Sequence, residues 1–411
     1  MRIAFVIDFF DERKGGAEAY LGAVARRLLG AGHSVELFAR DWSGLPAGVR
    51  GHRLRPRPLQ RPLKRLLRPV TELTFARRAA ARLRREGHDV VLGVRNVLYA
   101  THYQPHGGAR RAALRGIGEA RGHPLLRAWY WCDPISAAKE AVFLAIERRL
   151  LTGPDPPRLL AVSQMVQSDF VRLYGVLPRG CDVLYPGVDL ACYHPGGHLD
   201  DAQWLRRHFA VPLGEVVFLF AGHNPSLKGL PTLLEAFAQA CRGGLRGRLL
   251  VVGRFATAPH SRRARELGIR DRVVFAGPVS PRDMSTLYRG SDALVYPTFY
   301  DPCALVTLEA LACGLPVVTT RRNGAAELIQ DGREGFVIEH PRRAEALAER
   351  LRALEDASLR ARMREAAADT SKRLGFDAHF ERLVALLSRV PAGGRRAAGV
   401  GGWGSGGGVG D

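Results

Sequence analysis

The sequence predicts an α/β protein built of two doubly wound parallel-sheet domains that face one another across a central cleft. Three observations predict it. Short apolar runs alternate with stretches of helical period, once over residues 1–195 and again over 215–375. Those runs are apolar throughout, as strands buried on both faces of a parallel sheet are. And 411 residues exceed what one hydrophobic core usually serves.

In the first series "RIAFVIDF" reads as a buried strand and "AEAYLGAVARRLLGAG" as an amphipathic helix stopped by glycine. "HSVELFAR", "DVVLGVR", "RLLAVS" and "CDVLYPGVD" read as further strands. Residues 196–214, within "PGGHLDDAQWLRRHFAVPLGE", look polar and loop-like and read as a linker. The second series runs "VVFLFAG", the helix "LPTLLEAFAQACRG", "RLLVVG", "RVVFAG", the helix "PRDMSTLYRGS", "ALVYP", a helix near 301–313, "PVVTT" and "GFVIEH". A last helix, 376–390, is expected to pack back on the first domain. The Gly-rich tail 391–411 is expected to be disordered.

The net charge is +21, and only five of the 61 basic residues are lysine. Between Arg50 and Arg85 stand thirteen basic residues and one acid, Glu72. A block of this kind suits an anionic partner such as nucleic acid, an anionic membrane surface or a phosphorylated substrate. Leu63, Leu66, Leu67, Val70 and Leu73 fall there at helical spacing beside Lys64, Arg65 and Arg68, while Pro62 and Pro69 break any single long helix. The alternative is a solvated basic face over an ordinary core helix. The six cysteines form no C-x-x-C pair, which suggests a reducing compartment without a zinc site or disulfide framework. No run approaches the roughly 18 apolar residues of a membrane span, and Met1 leads directly into a strand. A cytoplasmic protein is expected, with peripheral attachment to an inner membrane through the basic block.

The chemistry concentrates in "DPCALVTLEALACGLP", residues 301–316. Asp301 with Pro302 reads as a helix start, and Gly314 with Pro316 as a helix stop. Glu309 interrupts an otherwise apolar helix, and a carboxylate so placed needs a partner. Two more strand-end loops point to a phosphorylated ligand. "AGHNPSLKG" carries His223 and Lys228, and "VVGRFATAP" carries Gly253 and Arg254. The start of the 301–313 helix adds free N–H groups and a positive dipole end. A lone loop lysine is usually solvated surface; the combination carries the reading.

"AGHNPSLKGLPTLLEAFA", then "YPTFYDPCALVTLEALACGLPVVTT" and "NGAAELIQDGREGFVI", resemble the donor-binding domain of the family four retaining glycosyltransferases. "FFDERKGGAEAYLGAVARRL", "LAVSQMVQSDFVRLYG" and "VLYPGVDLACYHP" extend the resemblance into the first domain, so that it covers most of residues 1–385. It implies the GT-B architecture, two Rossmann-like domains with the acceptor on the first and a nucleotide sugar, a UDP-sugar by expectation, on the second. It also implies an E-x7-E pair: Asp301 for hydroxyls of the donor sugar and Glu309 for the ribose. On a continuous helix the two would stand roughly 12 Å apart. Amides near Leu305 and Val306 would cap the diphosphate. Asp301 is one methylene shorter than the family's usual glutamate. His223 stands where the family carries an arginine beside Lys228, and Arg254 is placed to supply that charge. Gly15 and Gly16 match the glycine-rich loop after the first strand, and His106 in "THYQPHGGARR" matches a histidine near the reacting sugar, with His102 the weaker neighbour.

The resemblance further implies front-face substitution, in which the leaving diphosphate takes the proton of the incoming hydroxyl. Asp301, His106 and Lys228 are then the catalytic candidates, with charge stabilisation by Lys228 and the helix dipole. No D-x-D motif stands at a suitable strand end, so no metal and no cofactor are expected. The expected acceptor is a cell-envelope glycan or glycolipid such as lipopolysaccharide core; a small metabolite or polysaccharide is the alternative. A non-catalytic sugar-nucleotide binder and a nucleic-acid binder are rivals, and the latter leaves Asp301, Glu309 and Lys228 without a job. "LLRAWYWCDP" offers an acceptor or lipid site, or core.

Overall fold

The computed structural model describes residues 1–12, 16–54, 67–122, 133–175 and 179–389. Gly15, the central part of the basic block (Lys64 and Arg65 included), the aromatic cluster at 129–131 and the Gly-rich tail lie outside the described residues.

Two wholly parallel sheets organise the chain. The first contains β1 (Arg2–Asp11), β2 (Ser34–Ser43), β3 (Arg50–Arg53), β4 (Val90–Gly93), β5 (His102–Tyr103), β6 (Arg158–Ala161) and β7 (Cys181–Val183), in the order β3-β2-β1-β4-β5-β6-β7. The second contains β8 (Val216–Ala221), β9 (Gly247–Val252), β10 (Val273–Gly277), β11 (Ala293–Tyr296), β12 (Val317–Thr320) and β13 (Gly335–Ile338), in the order β10-β9-β8-β11-β12-β13. All six residues of β8 are buried, as a central parallel strand covered on both faces requires. Strand order reverses between β1 and β4 and again between β8 and β11. Those are the two points at which loops leave the sheet on opposite faces and open a crevice.

Three segments differ from the sequence reading. The stretch expected as a loop-like linker carries the helix His198–His208. Its polarity is that of a helix docked by one face: Leu205 is fully buried, Asp201 pairs with Arg289, and acids open the helix while bases close it. The basic block opens as the edge strand β3 and ends as the helix Arg68–Glu86, with Pro69 in its first turn. That helix buries Phe75, Ala76, Ala79, Ala80 and Leu83, while Val70 is 58% exposed, so the apolar line read through Leu67, Val70 and Leu73 is not its packed face. The third difference, at Asp301, belongs to the site.

The helix Phe376–Leu387 sets Leu383, Leu386 and Leu387 into the core formed by β1, β2 and the helix Gly16–Gly30. The two domains also touch directly. Ser163 Oγ donates to the Pro302 carbonyl at 2.6 Å, and Tyr300 donates to Asp169 at 3.3 Å. Glu327, from the second domain, accepts from the amides of Gln164 and Met165 at 2.8 and 2.5 Å and from the Tyr185 hydroxyl at 2.6 Å. It thus sits at the N-terminus of a first-domain helix, where the dipole favours a carboxylate.

Candidate active site

The loops following β8 and β11 meet at the switch point of the second sheet. The first tightens through Gly229, which has a φ of +81° and lies so close to the Pro297 carbonyl that a Cβ would collide with it, so the position admits no side chain. That turn delivers Lys228 to Asp301: Nζ donates to Oδ2 at 2.6 Å. The Tyr296 hydroxyl donates to the same oxygen at 2.8 Å, and the ammonium stands 5.6 Å from the Tyr296 ring centre. Burial, and then the Asp301 charge, push the Tyr296 phenol well up, so it remains a neutral donor. With both donors on Oδ2, no donor among the described residues reaches Oδ1.

Asp301 does not cap the 301–313 helix. The helix spans Leu305–Ala312, with Ala304 at its N-cap. Asp301 instead bridges to Asn323, its N–H donates to the Arg322 carbonyl at 2.9 Å, and the chain bends at Pro302 and Cys303 before the helix begins. The carboxylate is already committed to Lys228 and Tyr296, which leaves the cap to Asn323, whose Oδ1 accepts from the Ala304 amide at 3.2 Å. The helical rise therefore applies to only half of the interval between Asp301 and Glu309. Among the described residues no acceptor meets the amides of Leu305 and Val306, so the helix presents two bare N–H groups and its positive end beside Lys228. The predicted stop holds: Gly314 adopts φ +69° directly after the helix.

Glu309 lies on this short helix, half-buried, and accepts from the Tyr288 hydroxyl at 2.9 Å through Oε2. Burial pushes its carboxyl up to about 7, against the weaker opposing effect of the Tyr288 bond. Tyr288 is fully buried, and burial raises its own phenol well above the ordinary value.

The loop following β9 adjoins the same region. Gly253 abuts the Gly222 carbonyl, and the Arg254 amide donates to His223 Nδ1 at 3.2 Å, both side chains being exposed. Across the cleft, a Cβ on Gly16 would come within 2.8 Å of Leu305 Cδ1. The start of the first domain's opening helix therefore faces the start of the 305–312 helix. Lys228 is thus paired with Asp301, Gly16 faces Leu305, and the loop bearing Gly253 and Arg254 lies against the loop bearing His223 and Lys228.

Two family models match the chain: Glycosyltransferase Family 4 over residues 14–191 and Glycosyl transferases group 1 over residues 202–370. The D-inositol 3-phosphate glycosyltransferase of Acidothermus cellulolyticus is 30% identical over 348 residues, covering 79% of this chain and 75% of that protein. A namesake from Catenulispora acidiphila is 31% identical over 349 residues, covering 79% and 78%. The chain belongs to glycosyltransferase family 4. Solved structures agree in fold. WaaG, a glycosyltransferase involved in lipopolysaccharide biosynthesis, superposes with a TM-score of 0.76 at 21% identity, covering 94% of this chain and 100% of that one. Anabaena Alr3699/HepE, solved in complex with UDP-glucose, gives 0.67 at 20% identity, covering 94% and 99%. The two sheets of this transferase are the GT-B pair.

His106 of the transferase stands on the first domain, two positions before Gly108, which abuts Tyr300 and Pro302. Its ring lies 4.6 Å from that of Tyr20, its backbone N–H donates to the Gln104 carbonyl at 3.0 Å, and nothing among the described residues meets its buried Nε2. Burial, with His379 and Arg95 adding to it, pushes its pKa down to about 3. The imidazole is thereby held in its neutral form, with one N–H and one acceptor nitrogen. The Tyr20 hydroxyl links onward to Gln104 and to His379 of the last helix, at 3.1 and 2.9 Å. His102 is fully buried in β5, its pKa held down to about 4 by burial.

Sequence reasoning missed four residues. Tyr288 and Tyr296 each take one oxygen of a site carboxylate, Asn323 caps residue 304, and Glu327 joins the domains. All four stand within the strands, helices and loops that the sequence marks out. A tyrosine at a strand end beside an acid is the only local signal, and it does not say which acid.

Proposed function

We propose that this transferase moves a hexosyl unit, with retention of configuration, from a UDP-sugar to a hydroxyl of a small soluble acceptor. The observation that carries the proposal is the Lys228–Asp301 pair above the bare amides of Leu305 and Val306. A diphosphate on the helix end would place its leaving charge beside the ammonium. Asp301 Oδ1 would take sugar hydroxyls, and Glu309 Oε1 the ribose. The departing phosphate then receives the acceptor proton, so the step needs no protein base. With cation and dipole already supplied by the chain, the proposal assigns no metal. Similarity to HepE, a protein solved with UDP-glucose, favours uridine, and the curated relatives' names favour a small polyol. Calorimetric titration of UDP, GDP and ADP without added metal tests this. UDP binding that is lost in Glu309→Ala supports it; no binding by any nucleotide refutes it.

A second reading, transfer to an envelope glycolipid at an anionic membrane, is favoured by one observation. Arg77, Arg78, Arg84 and Arg85 are exposed on the helix Arg68–Glu86. Among the described residues no helix is long and apolar enough to cross a membrane. Flotation with anionic vesicles, lost in an Arg84→Glu/Arg85→Glu variant, is the expected result. Flotation unchanged by that variant refutes the membrane role of this face.

A further inference from the structure

Three side chains meet at the amino ends of the first sheet's strands, away from the donor crevice. They are Glu36 near the start of β2, Glu86 at the close of the helix Arg68–Glu86, and His88 just ahead of β4. One ligand atom from each lies within 4.8 Å of the other two. We propose that these residues form a structural zinc site, with water completing the coordination. The inference goes beyond the transferase reading and does not rest on it.

Two histidines of the same cluster point to the ion by contrast. Both pack on the Phe38 ring, His52 stacked at 4.4 Å and His88 perpendicular at 5.5 Å. His52 is satisfied at both nitrogens. Arg82 donates to its Nδ1 at 2.7 Å, which fixes the proton on Nε2, and Nε2 donates to Glu36 Oε2 at 2.6 Å. His88 is satisfied at neither. Its side chain is wholly enclosed, yet neither ring nitrogen has a hydrogen-bond partner among the described residues. Folded proteins rarely leave a buried imidazole in that state. His88 Nε2 stands 3.5 Å from Glu36 Oε1 with no hydrogen bond between them. A tetrahedral zinc with bonds of about 2.0–2.1 Å holds its ligand atoms about 3.3–3.4 Å apart. The separation therefore suits two ligands of one ion better than a donor and its acceptor.

The carboxylates are arranged for the same ion. Arg2 Nε donates to Glu36 Oε1 at 2.8 Å, and Arg82 Nε donates to Glu86 Oε1 at 2.5 Å. Glu36 thus accepts from two donors, whereas a carboxylate has room for about four. Glu86 Oε2 is buried without a hydrogen-bond partner among the described residues, and Arg2 Nη2 is 3.9 Å from it. Arg2 also donates from Nη1 to the Glu86 carbonyl at 2.8 Å, so the arginines and His52 orient the ligands from behind, as outer-shell donors do. Gly87, left-handed at φ +59°, turns the chain between Glu86 and His88. One imidazole nitrogen with two carboxylate oxygens suits zinc, while magnesium favours oxygen and water alone. An ion there would fasten the end of the arginine-bearing helix to β2 and to the entry of β4. Cysteine spacing, which argues against a zinc site, has no bearing on a ligand set without cysteine.

The test is calorimetry on the full chain after dialysis against a chelator, titrating Zn²⁺ and, separately, Mg²⁺. One equivalent of Zn²⁺ should bind, with Mg²⁺ about tenfold weaker or more, and the melting temperature should rise with Zn²⁺ concentration. Glu86→Gln and His88→Gln should each weaken Zn²⁺ binding about tenfold or more. Glu86 ends its helix with the side chain 26% exposed, so its variant reads the site without disturbing the core. Co²⁺ in place of Zn²⁺ should give visible d–d absorption without the near-ultraviolet band of a thiolate ligand. No Zn²⁺ binding, binding unchanged in Glu86→Gln, or a thiolate band in the Co²⁺ form each overturns the inference.

Discussion

Glu309 makes the binding of the nucleotide depend on pH in a range where carboxylates ordinarily do not titrate. Its carboxyl is pushed up to about 7 by burial. The groups facing it are Tyr288, Tyr193, Cys192 and Cys313, all of them raised chiefly by burial, so they stay neutral through that range. A ribose diol donates to the ionised form and gains far less from the neutral acid. The ionised fraction climbs from about 0.1 at pH 6 to about 0.9 at pH 8, so Glu309 should strengthen UDP binding about ninefold, or about 1.3 kcal/mol, over that interval. The terminal phosphate of UDP itself titrates, by analogy with a phosphomonoester near about 6. Calorimetry at constant ionic strength should therefore compare the chain with its Glu309→Gln variant at pH 6, 7 and 8. The variant should bind more weakly and lose the Glu309 part of the slope. Tyr288→Phe removes the bond that lowers the pKa and should move the midpoint upward. Identical pH profiles for the protein and Glu309→Gln would refute a titrating contact between Glu309 and the nucleotide.

Three other outcomes follow from the same geometry. The raised Glu309 pKa has a cost in stability. Below pH 4.5 the carboxyl is neutral folded or unfolded, and as pH rises through 7 the folded state bears the penalty of ionising a half-buried group. Glu309→Gln should therefore be more stable than the parent at pH 8, on the order of 1–3 kcal/mol, with no difference at pH 4, as read by denaturant titration. Lys228→Ala should lower turnover by about 10²–10³-fold in a transfer assay, and activity near that of the parent would remove Lys228 from the site. Glu327→Ala frees two helix-end amides and the Tyr185 hydroxyl from the second domain; small-angle scattering should show a larger radius of gyration, with a raised KM. An unchanged radius would mean that the remaining contacts hold the domains by themselves.

How much of this was legible beforehand differs from element to element. The strands of both sheets are visible in the chain because a parallel strand covered on both faces must be apolar along its whole length, as β8 is. The helix His198–His208 was not, because Leu205 is its one buried residue and its other large apolar side chains, Leu199 and Trp204, stay exposed among polar neighbours. Asp301 followed by proline carries every mark of a helix start. Local preference lost there to long-range bonds, since a lysine 73 positions earlier in the chain claims the carboxylate and an asparagine 19 positions beyond Ala304 takes over the cap. Glu309 was recognisable by contrast with its apolar neighbours, yet its partner Tyr288 belongs to another helix.

The sequence by itself determined the α/β class, the two sheets, the loops that bear Lys228, Asp301 and Glu309, and the membership of the family. Each of these is written in a short-range pattern of polarity or residue type. The tertiary structure alone decided which oxygen of each carboxylate is occupied, that His106 Nε2 is buried without a partner among the described residues, and that Glu327 joins the domains. Those properties depend on which atoms meet across tens or hundreds of residues, and on how much water the meeting excludes. A local pattern carries neither.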